Sequence, residues 1–483
     1  MRATSDAVAA CIAAAAILAG CTLTRTDVVD CDTDGDCRAA FGLGFVCNRD
    51  GLCDEVEPAP RCSETFPPGL FDDRFQERDR ILFGNLMDRS VQTQVARERS
   101  AQLAYDQANQ EDGVDGRSFG AVFCTVEENP DYDDLARTDA AVASAEFLAT
   151  SLGVPAIVGP AASSDTQAVF QALAGTGVLV ISPSATSPSL TDLDPATVSD
   201  DAPGLLWRTA PSDGLQGAVI AADMLDPGEG RAAPVAHVAV IHEVGAYGEG
   251  LFDVFAPAFQ DGGGTVDLLR PFDGDGQLAD AIADVASSRA EEVLFISSQP
   301  DDIAGFLDSA ATLSGYDGKG IFLTDAAANP DVLSQANPAR FPQIRGTRAK
   351  PLDEGKDLVY ASFIAAYTAA FREDVRSFSF AANAYDAAWL LAYGAAWALL
   401  QEDGLDGTRI ARGLRHVSDG ESVAVRPGGW VSVQQAFRDG RSIDAAGASG
   451  PIDFDPDSEE TAADIEVWRI DGGRIEGLYP VSP

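Results

Sequence analysis

Short apolar runs, several of them rich in β-branched residues, recur along the chain from about residue 80 onward. They fall at Ile81–Met87, Phe119–Val126, Ala156–Val158, Val178–Ser182, His237–Ile241, Val293–Ser297 and Ile321–Leu323. Runs this short and this uniformly apolar read as strands buried on both faces. Longer stretches with helical character lie between them, such as Leu135–Leu152 and Gln277–Ser288. The alternation predicts βα units, and hence mostly parallel sheets flanked by helices. At 483 residues the chain exceeds what one hydrophobic core supports, so more than one packed unit is expected.

Two of the strand-like runs empty into loops of hydroxyl residues. The first reads PAIVGPAASSDTQAVF from Pro155 to Phe170, and the second VLVISPSATSPSL from Val178 to Leu190. Ser163, Ser164, Ser184 and Thr186 stand where each strand gives way to the next helix, and in the plainest reading they cap helices and turns. In an open α/β sheet, however, ligands sit beyond the carboxyl ends of the strands, where helix N-termini offer unpaired N–H groups to anions. Two such loops in tandem predict a site for a carboxylate-bearing small molecule.

Together with VAVIHEVGAYGEGLFDVFAPAFQDGGGTV (Val238–Val266) and SFAANAYDAAWLLAYG (Ser379–Gly394), these loops resemble the type 1 periplasmic binding proteins of the leucine/isoleucine/valine-binding class, from roughly Arg80 to the C-terminus. The resemblance implies an α/β fold of two lobes, each a mostly parallel sheet between helices. It implies chain crossings near Trp207–Pro211, Gly346–Arg348 and Gly447–Pro451. Lobe 1 would then comprise residues 80–210 and 348–445, and lobe 2 residues 211–347 and 448–476. In this family the first lobe holds an amino acid's carboxylate, here through Ser163, with Ser164 beside it, the backbone N–H of Ser184, and Thr186. The second lobe would close with Tyr247, in EVGAYGEG, and with Asp325, in IFLTDAAAN, whose carboxylate suits a ligand ammonium. A turn aromatic and a helix cap are the plainer readings of those two residues.

The chain departs from the family in two loops. SSQPDD from Ser297 lacks the aromatic that relatives place there, and NLMDRSVQTQ (Asn85–Gln94) replaces a glycine-rich loop. Arg89 in that second loop is either a solvated charge or a reach toward an acidic ligand.

The N-terminus sets the expected compartment. Ala7–Gly20 is apolar, too short to span a bilayer but suited to a signal peptide over residues 1–20, and it ends in Leu18-Ala19-Gly20-Cys21. That ending resembles a bacterial lipobox, which implies cleavage before Cys21 and acylation of that cysteine, with stable anchoring from several acyl chains. Thr22 behind it favours the outer membrane over the inner. Cys31, Cys37, Cys47 and Cys53 form C-x5-C-x9-C-x5-C in a Gly- and Asp-rich module over residues 21–53. So short a segment needs staples, and its disulfide connectivity is left open. The run Asp30–Asp36 looks like the start of a calcium loop, but Phe41 occupies the place of the closing carboxylate, so a disulfide loop is the stronger reading. Cys62 and Cys124 are expected to pair with each other. Residues 54–79, rich in Pro and acid, read as linker.

Charge and motif content narrow the function. Asp plus Glu number 76 against 33 Lys plus Arg, a net charge of −43 that argues against nucleic acid as a partner. His237, His242 and His416 are scattered, and no nucleophile elbow, phosphate loop or metalloprotease motif occurs, so an enzyme is not expected. No cofactor and no metal are expected. The reading is an extracytoplasmic, lipid-anchored solute-binding protein for an amino-acid-like ligand, with an ABC transporter as partner. The alternative is an outer-membrane lipoprotein that uses the same fold to sense a ligand or hold an envelope protein.

Overall fold

The computed structural model describes residues 30–483 apart from 58, 75, 195–197, 227–230 and 232. The signal segment 1–20 and the lipobox cysteine Cys21 lie outside the described residues. Within the described residues the chain forms two compact units, one of residues 30–57, Phe71–Arg78 and Ser151–Gly153, the other of Ala59–Leu70, Asp79–Thr150 and Val154–Pro483.

In the first unit the aspartate run organises a helix start. The Thr33 hydroxyl accepts from the Asp36 N–H while the Asp36 carboxylate accepts from the Thr33 N–H at 2.8 Å, a capping box that opens α1 (Asp34–Phe41). Asp34 accepts from the Cys47 N–H at 2.7 Å, at the end of β1 (Phe45–Cys47), which pairs antiparallel with β2 (Cys53–Glu55). Disulfides join Cys31 to Cys47 and Cys37 to Cys53, so the two bridges interleave. Few apolar side chains are buried here beyond Cys31, Cys37 and Leu43, and cross-links stand in for a core.

The second unit contains both large sheets. The first is built from β3 (Glu64–Phe66), β4 (Ile81–Met87), β5 (Phe119–Thr125), β6 (Ala156–Val158), β7 (Leu179–Ser182) and β8 (Leu206–Arg208), in the order β3-β5-β4-β6-β7-β8. All pairs are parallel except β3, which runs antiparallel along β5. This edge strand falls inside the stretch read as linker, and its neighbour Cys62 is bonded to Cys124 on β5. Helices α2 (Gln92–Gln110), α3 (Arg137–Glu146) and α4 (Ser163–Ala172) connect the parallel strands.

After β8 the chain enters the second lobe with α5 (Asp213–Leu225), β9 (His237–Glu243), α6 (Ala246–Asp261), β10 (Thr265–Phe272), α7 (Asp275–Ser287), β11 (Glu292–Ile296), α8 (Pro300–Thr312), β12 (Gly320–Leu323), α9 (Pro330–Gln335) and β13 (Ile344–Ala349). It then returns to the first core with α10 (Leu358–Phe371), α11 (Ala381–Gln401), α12 (Gly407–Leu414), β14 (Glu421–Ala424), α13 (Trp430–Arg438) and β15 (Ile443–Ala446). Finally β16 (Ile465–Asp471) and β17 (Arg474–Val481) complete the second sheet, in the order β10-β9-β11-β12-β13-β16-β17. That sheet runs to Ala349 and Val481, slightly past the boundaries expected at 347 and 476.

The central helix α11 is apolar on almost every side and buried along nearly its whole length, as a helix inside a large core must be. Trp389 and Tyr393 on it pack against Trp430 with ring centroids 5.7 and 5.6 Å away. Among the described residues no helix is long and apolar enough to cross a membrane.

Candidate functional site

The two hydroxyl loops lie at the carboxyl ends of β6 and β7, where the fold leaves helix N-termini open. Gly159, at the end of β6, has φ +95°, and a Cβ there would lie 2.3 Å from the Leu86 carbonyl oxygen, so this loop needs a glycine to pass the neighbouring strand. Ser163 begins α4, is buried, and its hydroxyl accepts from the Ser187 N–H at 3.2 Å. The Ser184 hydroxyl donates to the Ala161 carbonyl at 2.9 Å, which ties one loop to the other.

The second lobe supplies an acid and a phenol. Tyr247, in the first turn of α6, donates to Asp325 Oδ1 at 2.5 Å and stands 2.8 Å from the Thr324 hydroxyl. Gln216 donates to the same Asp325 oxygen at 3.2 Å and to the Thr347 hydroxyl at 3.1 Å. Both Tyr247 and Asp325 are buried. Burial raises the Asp325 carboxyl above the usual carboxylate range, and it raises the Tyr247 phenol with Asp325 adding to the effect.

Ser163, Ser184, Tyr247 and Asp325 line one cavity. Ser164 and Thr186 are engaged elsewhere. Ser164 accepts from the Ala246 N–H of the opposite lobe at 3.1 Å, and Thr186 donates to the Asp213 carboxylate at 2.8 Å. A second bond between the lobes runs from the Ser187 hydroxyl to the Ala246 carbonyl, so the cleft is closed over the cavity. Gly245 lies under this contact with φ +117°, and a Cβ there would meet the Ser164 hydroxyl at 2.6 Å.

Among the residues in or beside this site that were not singled out from the sequence are Arg97, Asp213, Gln216 and Phe380. Arg97, on α2, is buried in the cavity wall and donates to the Ser184 hydroxyl at 2.9 Å and to the Ser379 carbonyl at 3.1 Å. Its guanidinium lies 5.4 Å from the Phe380 ring centroid, and among the described residues no carboxylate forms an ion pair with it. Burial pushes it down to about 10, while the Asp325 charge opposes that shift. The signal was present in the helix: Thr93, Arg97, Ser100, Ala101 and Ala104 follow the spacing of one buried face. Asp213 begins α5, and its N–H donates to the Thr186 carbonyl at 2.8 Å. Its Oδ1 is buried without a hydrogen-bond partner, and burial together with the nearby Asp325 charge pushes its carboxyl well above the ordinary range. Nothing in the sequence distinguished it from a helix cap.

The departing loops resolve in different ways. Arg89 pairs with Glu98 at 3.0 Å, outside the cavity. Ser298 lines the cavity, held by the half-buried Glu243, which accepts from its N–H at 2.7 Å. The histidines pack elsewhere, with His242 stacked on Phe252 and His416 on Trp397.

A closed cleft between two α/β lobes, with polar side chains from both, defines a two-lobed ligand-binding protein. The model of the receptor family ligand binding region matches residues 96–473, and the chain belongs to that family. The Leu/Ile/Val-binding protein homolog 3 of Brucella melitensis is 30% identical over 202 residues, 41% of this chain and 48% of that one. The chemotactic signal transduction system substrate-binding protein BasB of Halobacterium salinarum is 28% identical over 371 residues, 74% of this chain and 78% of its own. The alignments with the first curated relatives span about half of those proteins' length. Among solved structures, the isoleucine complex of the branched-chain amino acid transporter substrate-binding protein LivJ from Streptococcus pneumoniae superposes with a TM-score of 0.64 at 21% identity. It covers 84% of this chain and all of that one. The fold is therefore that of the type 1 periplasmic binding proteins, and the relatives named here are binding proteins.

Proposed function

We propose that this chain is an extracytoplasmic, lipid-anchored solute-binding protein that captures an amino acid or similar small carboxylate between hinged lobes and delivers it to an ABC transporter. The observation that carries the reading is the charge arrangement of one cavity. A buried guanidinium and two hydroxyls from the first lobe share it with a buried carboxylate from the second, a match for a zwitterion. Arg97, Ser163 and Ser184 receive the ligand carboxylate, and Asp325, oriented by Tyr247 and Gln216, receives the ammonium. Lobe closure then removes both ion pairs from water, which strengthens them. Residues 80–210 and 348–445 serve as lobe 1, residues 211–347 and 448–476 as lobe 2, and Cys21 carries the lipid on the periplasmic face of the outer membrane.

The reading is tested by thermal shift of the full chain against free amino acids and small carboxylates, repeated with Asp325→Ala and Ser163→Ala. A rise in melting temperature that both substitutions remove supports it, because a ligand that binds only the folded state stabilises that state. Metabolic labelling with a fatty acid, lost in Cys21→Ser, tests the anchor. A sensor or scaffold role is the second reading, favoured by the similarity to a chemotactic binding protein. Absence of any ligand-dependent shift would turn the assignment to that role.

A further inference from the structure

Beside this cavity the cleft continues toward the chain crossings as a second, larger cavity. Asp325 and Phe380 line both. The two cavities thus share walls, and a ligand head held in the inner one can continue into the outer. The walls of the hinge chamber are of a different kind. Tyr360, Phe363 and Phe378 present aromatic surface, while Thr209 and Ser449 supply polar edges from the chain crossings and Asn383 one from α11. Its basic wall residues are already neutralised: Arg348 pairs with Glu466, Lys350 with Asp464, and Arg376 with Glu354 and Asp374. The chamber is thus suited to an apolar group with a few hydrogen-bonding atoms, and poorly suited to a second anion.

Phe380 marks the passage between the two spaces. Its backbone is left-handed, with φ +61°, a conformation that a bulky residue adopts only when its surroundings hold it there. Its ring lies beside the Arg97 guanidinium, so the residue that would take the ligand's carboxylate adjoins the entrance to the aromatic chamber.

We propose that the ligand is longer than a free aliphatic amino acid: an amphipathic carboxylate whose head lies at Arg97, Ser163 and Ser184, and whose apolar or aromatic extension passes Asp325 and Phe380 into the hinge chamber. The inference rests on the small-carboxylate reading of the inner cavity and adds the class of molecule that fills both.

Titration calorimetry on the full chain tests it with L-leucine, 4-phenylbutyrate and the dipeptide L-leucyl-L-phenylalanine as probes. At least one extended probe is expected to bind about tenfold or more tightly than leucine, from the added apolar burial. Ala382→Trp, which places a large side chain in the chamber wall and removes no side-chain hydrogen bond, is expected to abolish that advantage and leave leucine within about threefold of its original affinity. Phe378→Ala provides an independent check should the first variant fail to fold, and is expected to weaken the extended probe several-fold while sparing leucine. Leucine binding as tightly as both extended probes, or equal losses for all probes in either variant, would overturn the extended ligand and leave the amino-acid reading standing. If no probe binds, leucine included, the small-carboxylate reading itself fails and the inference falls with it.

Discussion

The two sides of the cleft carry opposite chemistry. On the first lobe the cavity wall is a buried cation with hydroxyls from Ser163 and Ser184, and on the second it is the buried acid Asp325 with the Tyr247 phenol. The two sides are also satisfied differently. In the cavity wall Asp325 accepts from Tyr247 and Gln216, whereas Arg97 reaches only neutral oxygens. A lobe that holds a buried charge without a counter-charge is less stable for it, and a ligand of opposite sign recovers that stability on binding. On the proposed reading, Arg97 is the group with most to gain from a ligand of opposite charge, and Asp325 the one already held by neighbours.

The largest way to break the comparison is Asp325→Ala, which leaves a ligand ammonium buried without a partner. Calorimetry should show a loss of about 30-fold or more in affinity for any amino-acid ligand, the range found when one member of a buried, hydrogen-bonded charge pair is truncated. Arg97→Met sharpens it, because the two readouts should move in opposite directions. Ligand affinity should fall by about tenfold or more, while the ligand-free melting temperature should rise, since an apolar side chain of similar reach replaces an uncompensated buried charge. A fall in both would mean that Arg97 serves only the fold.

The acid side can be probed by pH. Asp213 and Asp325 are both raised by burial, and the charge of Asp325 raises Asp213 further, so this pair holds protons above the usual carboxylate range. A bound ammonium should expel them. Binding is therefore expected to release protons, visible as a dependence of the calorimetric enthalpy on buffer ionisation, and affinity should weaken as pH falls through the raised range. A proton uptake on binding would contradict this assignment.

The smallest expected effect lies at the third crossing. Asp386, fully buried on α11, accepts from the Ala448 and Ser449 N–H groups at 2.9 and 2.7 Å and from the Ser449 hydroxyl at 2.6 Å. Burial raises it to about 7 from 3.8. In that window the unfolded chain binds fewer protons than the folded one, so stability falls as pH rises through it and levels off above about 7. Asp386→Asn should flatten that part of the melting-temperature profile, a change of a few degrees.

Much of this was legible in the chain. Most of the parallel strands announced themselves because strands covered on both faces are apolar throughout, while β8, β10 and β13 did not, β10 being half-exposed and β13 carrying two arginines; the hydroxyl loops followed because each strand end must hand its chain to a helix N-terminus. Strand β3 escaped notice because three residues carry no period. Arg97 was readable in principle from the buried face of α2, but a charged residue near a helix start is ordinarily taken as solvated. Asp213 was not readable: its role arises from contact with Thr186, 27 positions earlier, and with Asp325 far later, so only the closed fold brings the three together. The interleaved bridges of the first unit were likewise undetermined, since four cysteines allow more than one pairing.

Gly245 gives the cleft an adjustable latch. A methyl group at that position would press on nothing except Ser164, and its left-handed backbone already disfavours any side chain. A side chain at residue 245 is therefore expected to loosen this contact between the lobes. A lineage that needed a more readily opened trap could obtain one by changing residue 245 alone, without touching a group that meets the cargo.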